Sequence, residues 1–325
     1  MSLKSTIDGA VPSAVQQGWQ RLTWPLWNHE QGRLRAPLRA LSPLIVTFMG
    51  LAAIITIVRP RFDHPIREPV ELLGLIALLG GGILMSAKML DRRPIAEYGL
   101  SVDREWIRSF AIGGLIGTVI NAGTFLVALG AGWITVVDFV GGAGDLPFPA
   151  AMVLAFALTA VAASWEEFVF RGAMLKNLAE GADGHVPRWA AVGIALVVST
   201  GIFAFMHSGK VTGLGSYGYY LLAGVIFGGV YILTGDLGLP MGFHAFYNFS
   251  MTAFFGLGVS QQTPEIVNLT ATGPDFWIGE TGVLQVGFAV VGGLLLLGYA
   301  RWRDGQLCVD ERLTRWQPAD ATAEQ

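Results

Sequence analysis

The chain is poor in charge and almost without cysteine. Of its 325 residues only 14% are Asp, Glu, Lys or Arg, and Cys308 is the single cysteine. One thiol excludes an intrachain disulfide and any cysteine-based metal site. A soluble domain carries about 25% charged residues, so an ordinary soluble enzyme is excluded as well. A net charge of −3 leaves no concentration of positive charge for phosphates, which excludes nucleic acid as a partner. Disorder fails for the opposite reason, because 53% of the residues are apolar and must be buried somewhere. With a mean hydropathy of +0.53, the composition is that of a polytopic membrane protein.

A membrane span needs roughly 20 apolar residues at 1.5 Å per residue. Eight stretches qualify: 40–58, 72–90, 109–137, 148–178, 189–211, 217–233, 239–257 and 281–300. Backbone groups in lipid must be satisfied internally, and no ten-residue alternation indicates a barrel. The expected fold is therefore all-α, a polytopic bundle of about eight transmembrane helices. It divides into an interfacial N-terminal segment (1–39), the bundle (40–300) and a polar cytoplasmic tail (301–325), frayed at its end. Residues 1–39 show no apolar signal-peptide core or cleavage site. Their Trp19, Trp24 and Trp27, mixed with Arg33, Arg35 and Arg39, suit a segment lying on the inner leaflet. A charged loop at 88–108 is expected to hold a second interfacial helix around Trp106.

Seventeen of the basic residues fall in one set of inter-span stretches, and only Arg59, Arg61, Arg67 and Lys210 in the other. The positive-inside rule then places both termini in the cytoplasm, most simply at the plasma membrane.

Polar residues inside apolar runs carry the functional argument, since an ionisable side chain at mid-membrane costs on the order of 2.5–3.5 kcal/mol. Three places stand out. Glu166, Glu167 and Arg171 follow a stretch free of charge from Phe148 to Ala162. On a helix Glu167 and Arg171 are four apart and can pair, whereas Glu166 is rotated about 100° away and lacks that partner. Such a division of roles between two carboxylates is what acid/base chemistry requires. His207 closes a second apolar run, four residues after Phe203, and His244 and Asn248 share a face in a third. Each motif alone also fits an interfacial histidine, a buried ion pair or an interhelical clamp. Together they hold what peptide hydrolysis needs, a Glu and His to activate water and a His and Asn to stabilise an oxyanion.

E-E-x-x-x-R at Glu166, Glu167 and Arg171, F-x-x-x-H at Phe203 and His207, and H-x-x-x-N at His244 and Asn248 resemble the motifs of the CPBP family. These are the CAAX proteases and bacteriocin-processing (Abi) intramembrane endopeptidases. The resemblance covers about residues 148–257, with Glu97-Tyr98-Gly99-Leu100 loosely similar to an upstream element of the family. It implies that Glu166 is the general base, that His207 helps to hold the water, and that His244 and Asn248 stabilise the oxyanion. Glu167 and Arg171 would organise the helix, with Phe203 as structural support. The implied substrate is a membrane-associated protein or peptide, possibly lipidated, met in membrane lipid near the cytoplasmic leaflet.

No cofactor is favoured. Zinc on Glu166, His207 and His244 stays open, as a His₂Glu set with a free position suits that ion, but no H-E-x-x-H pair pre-sets two ligands. The alternatives to an enzyme are a catalytically silent scaffold or bacteriocin-immunity protein, and a proton-coupled transporter. The transporter lacks visible internal repeats. One geometric difficulty accompanies the enzyme reading. In eight simple spans His207 falls near the outer end of its helix and His244 near the inner end of its own. A shared site requires residues 186–195 to lie partly at the inner surface, or a break at Gly193, Gly201 or Gly209.

Overall fold

The computed structural model describes residues 14–210, 213–258 and 263–318. Helices dominate: α1 (Ala14–Thr23), α2 (Ala36–Ile57), α3 (Arg67–Met85), α4 (Arg104–Gly130), α5 (Phe148–Glu167), α6 (Lys176–Ala182), α7 (Arg188–Met206), α8 (Leu214–Thr234), α9 (Gly238–Phe249) and α10 (Val283–Asp304). Among the described residues, seven helical rods are long and apolar enough to cross a membrane. The eighth expected span is a shorter helix, α9, continued as a π-helix over Ser250–Phe254. Nearly all of α9 is buried among its neighbours, so protein rather than lipid surrounds it.

Local signals account for several of the helix starts. Proline opens α2 and α5, where a missing N–H costs nothing. The Asp103 carboxylate accepts the Trp106 N–H at 2.9 Å and caps α4. Trp106 thus belongs to the first turn of a spanning helix, not to a separate interfacial one, and its indole donates to Gly99 O at 3.0 Å.

Two small sheets interrupt the helical pattern. Strands β1 (Trp27–Asn28) and β2 (Arg33–Leu34) form a short hairpin. Strands β3 (Ile134–Gly141) and β4 (Glu265–Ala271) pair antiparallel across a long sequence separation. The expected helix 109–137 therefore stops at Gly130. Gly132 has a φ of +69°, and the β-branched run from Ile134 to Val137 prefers an extended backbone.

The rod that begins with α5 is unusually long. α5, a π-helix over Phe168–Leu175 and α6 run without interruption from Phe148 to Ala182. All eight residues of the π segment are buried. A π segment displaces carbonyls from the regular ladder, and the Ser199 hydroxyl donates to Phe170 O at 2.6 Å. α7 returns antiparallel to this rod, with Phe203 edge-on to Phe170 at 5.2 Å. This hairpin removes the depth difficulty, because its tip at residues 183–187 extends well past the site. α7 is continuous through Gly193 and Gly201, so no helix break is involved.

The bundle has two unlike ends. At one, Arg39 bonds Asp91 at 3.0 Å, Asn177 at 2.7 Å and Glu180 at 2.9 Å, and Arg93 reaches Glu180 at 2.5 Å. Arg33 also pairs with Glu180 and lies 4.0 Å over the Trp316 ring. Burial lowers the Arg33 guanidinium to about 10, against the pull of Glu180. The segment after α10 folds back onto this end: Asp310 N–H donates to Ile232 O at 2.9 Å, and Trp316 to Asp91 O at 2.9 Å. The tail is thus docked as far as Trp316, and the expected fraying falls on residues 319–325, outside the described residues. The other end carries the α2–α3 loop, the β3–β4 pair and the loop before α5.

Candidate active site

Glu166 and Glu167 end the regular part of α5, and the helix turns them in different directions. Glu167 is wholly buried and faces inward, where its Oε1 accepts from Arg171 Nη1 at 3.2 Å and from His244 Nδ1 at 2.8 Å. Arg171 is held between two rings, 4.5 Å from Phe203 and 5.2 Å from Phe227. Cation–π contact of this kind is strongest where water is excluded. Glu166 faces a cavity and stays partly open to it, with 19% of its side chain exposed.

Two imidazoles converge on that one carboxylate. Nε2 of His207 and Nε2 of His244 each lie 3.9 Å from Glu166 Oε2. In both rings the other nitrogen is committed. His207 Nδ1 donates to Phe203 O at 2.8 Å, and His244 Nδ1 donates to Glu167. A carbonyl and a carboxylate can only accept, so each neutral ring carries its proton on Nδ1 and presents a bare Nε2 lone pair to Glu166. Aromatic faces fix the rings: His207 stacks on Tyr220 at 4.3 Å and His244 on Phe227 at 5.0 Å. A separation of 3.9 Å is too long for a direct hydrogen bond, and a bridging water fits such a gap.

The cavity has a volume of about 1010 Å³, and Glu166, His207, His244, Asn248 and Phe203 all line it. Asn248 stands one turn beyond His244 on α9. The seven residues singled out by sequence thus divide in two. Glu166, His207, His244 and Asn248 bring their polar groups to one space, with the Phe203 ring in its wall, while Glu167 and Arg171 hold that arrangement from behind. A divalent ion would use Glu166, His207 and His244, whose Nε2 atoms face the carboxylate. Among the described residues no cluster of three His, Cys, Asp or Glu is gathered tightly enough to hold one.

Residues 148–250 match the family model described as type II CAAX prenyl endopeptidase Rce1-like. Over that segment the chain is similar to the CAAX-protease (CPBP) family. The matched stretch begins with the first residue of α5 and ends at Ser250, so Glu166, His207, His244 and Asn248 all lie inside it. No curated protein and no solved structure matches the chain. With its seven apolar rods the chain is an integral, multi-pass membrane protein.

Several residues that complete the candidate site were not singled out by sequence. The direct bond from His244 to Glu167 is one, since the i, i+4 pattern pointed Glu167 to Arg171 alone. Tyr220 and Phe227, which hold the two imidazoles, are seven apart on α8 and so share a face, a pattern that ordinary packing also produces. A buried network supports α9. Tyr219 OH donates to Tyr247 OH at 2.9 Å, and Gln285 Nε2 donates to Tyr247 OH at 2.6 Å and Asn121 Oδ1 at 2.8 Å. Asn121 Nδ2 in turn donates to Tyr247 O at 2.7 Å. Glutamine and asparagine inside apolar spans were the available signal. The Glu97–Leu100 element lies under the site: Tyr98 OH donates to Asp91 at 2.5 Å, its ring meets Phe168 edge-on, and Gly99 O accepts Leu237 N–H at 3.0 Å.

Proposed function

We propose that the chain is an intramembrane endopeptidase in which Glu166 activates a water molecule against a peptide carbonyl. The observation that supports this best is the convergence of two imidazole Nε2 atoms on Glu166 Oε2, each at 3.9 Å, at the floor of a cavity. Glu166 takes a proton from the water, and the hydroxide oxygen bonds to the carbonyl carbon. The resulting oxyanion is stabilised by the Asn248 amide and by His244, which faces the same space. Collapse breaks the C–N bond, and the amine leaves with the proton held by Glu166. His207 holds the water from the opposite side. The reaction as written needs no metal, and zinc on the same three side chains is the rival form of this reading.

The test is cleavage of a peptide library by purified protein, with and without chelator, beside Glu166→Gln. Wild type should cleave in both buffers. Glu166→Gln should lose about 10²–10⁴ in rate, the usual contribution of a general base, while accumulating normally in the membrane. Loss of wild-type activity on chelation would favour zinc, and full activity of Glu166→Gln would overturn the role of the carboxylate. A catalytically silent scaffold would show no cleavage under any condition.

A further inference from the structure

The cavity opens at one end of the bundle and is sealed at the other. α2 measures roughly 33 Å at 1.5 Å per residue, with Ala36 at the sealed end and residue 57 at the open one. Near the mouth the walls are loop residues of the open end, among them His64, Gly144, Glu265 and Glu280. Further in, the walls are apolar, with Leu75, Leu154 and Leu222 from three different helices. Beneath Glu166 the path stops. Phe168–Leu175 are all buried, as are Tyr98, Leu237 and Leu239. Below them lie the Arg39–Asp91–Asn177–Glu180 cluster and the docked Trp316.

Depth and access therefore point in opposite directions. His244 is six residues into α9, about 9 Å above the turn at the sealed end. The site is thus nearer that end in depth, yet it is reached from the other. The basic residues decide which end is which. Arg33, Arg39, Arg93, Arg188, Arg303 and Arg312 belong to the sealed end, whereas the open end has only Arg59, Arg61, Arg67 and Lys210 among the described residues. Short loops rich in Lys and Arg stay in the cytoplasm. The sealed end is then cytoplasmic, so the site lies toward the cytoplasmic leaflet in depth but is reached from the opposite face.

Resting on the peptidase reading, we propose that the substrate is an apolar peptide segment presented on the extracytoplasmic face, entering between the α2–α3 loop and the β3–β4 end. A volume of about 1010 Å³ is at the upper limit of small-ligand pockets and has room for an extended apolar stretch. A lipidated C-terminus in the cytoplasm would meet only the sealed floor.

Cys308, the single cysteine and an exposed one, is a native reporter for the sealed end. In intact cells producing the full chain, a membrane-impermeant maleimide should leave Cys308 unlabelled until the membrane is permeabilised. In a Cys308→Ser background, Asp145→Cys at the mouth should be labelled without permeabilisation. Leu222→Cys in the cavity wall should react with a small impermeant thiosulfonate from the same side. A reporter peptide with an apolar core should be cleaved only when added to the Asp145 side of sealed vesicles. Labelling of Cys308 in intact cells with protection of Asp145→Cys would overturn the proposal and make cytoplasmic, lipidated chains the substrate class. Labelling of both without permeabilisation would overturn it too. Labelling as expected without cleavage on either side would instead sink the peptidase reading, and with it the substrate, while the outward opening would stand.

Discussion

Two adjacent glutamates on one helix carry different tasks because the helix rotates about 100° per residue. Glu166 is turned to the cavity, where its Oε2 faces the two imidazoles at 3.9 Å. Glu167 is buried against Arg171 and His244. Glu166→Gln should therefore abolish cleavage and leave thermal unfolding in detergent unchanged. Arg171→Leu should behave differently. It leaves the Glu167 carboxylate buried beside one imidazole, and breaking a buried pair by removing one partner costs about 3–5 kcal/mol. The expected outcome is a large fall in midpoint temperature together with lost activity. Equal unfolding temperatures for wild type and Arg171→Leu would refute the structural role of the pair. Glu167→Gln should lose both properties, since it unsettles Arg171 and removes the acceptor that orients His244.

At the scale of elements, the helices and the motif residues were legible in the sequence because lipid imposes a crude rule. Runs of about 20 apolar residues must be helical, and a charge within them needs a partner or a task. What was illegible depended on register between elements. The continuous rod from Phe148 to Ala182 joins α5, a π-helix and α6, and nothing in the sequence distinguishes it from a span that ends near residue 178. Its length brings Phe203 and His207 level with Glu166 and Arg171, where the glycines of α7 had suggested a break. Small residues instead matter between α4 and α9. A Cβ on Gly242 would lie 1.9 Å from Phe110 O, a backbone atom that cannot step aside. Close approach of helices through such glycines is a usual means of packing in membranes. Gly242→Ala should push α9 off α4, displace His244 and Asn248, and cost about 1–3 kcal/mol or more by overpacking. Gly201→Ala meets nothing within 4 Å and should be neutral in both cleavage and unfolding. Loss of activity in Gly201→Ala would revive the broken-helix explanation.

On the scale of the whole molecule, the sealed end holds the helices that the open cavity cannot hold together. Part of that seal is the segment after α10, whose Asp310 is bound by the Arg312 N–H at 2.7 Å and by its guanidinium at 2.8 Å. Burial tends to raise the Asp310 carboxyl, but the Arg312 hydrogen bonds outweigh it and hold the group below the ordinary aspartate value of 3.8. A carboxyl with a depressed value in the folded protein binds fewer protons folded than unfolded. Its stabilising contribution is then complete above the unfolded value and disappears as pH falls through 3.8 and on through the folded value. Asp310→Asn keeps the shape and removes the charge. Its unfolding temperature in detergent should lie below that of wild type near neutral pH, with the gap closing under about pH 4 as the wild-type carboxyl takes up its proton. Limited proteolysis of the C-terminal segment should follow the same course, the variant being cut faster at neutral pH and at the wild-type rate in acid. A gap of constant size across that range would mean that the Asp310 charge does not hold the segment. The seal would then rest on Trp316, on the Asp310 main-chain bond to Ile232, and on Lys176 and Arg188, which donate to Arg312 O and Asp310 O.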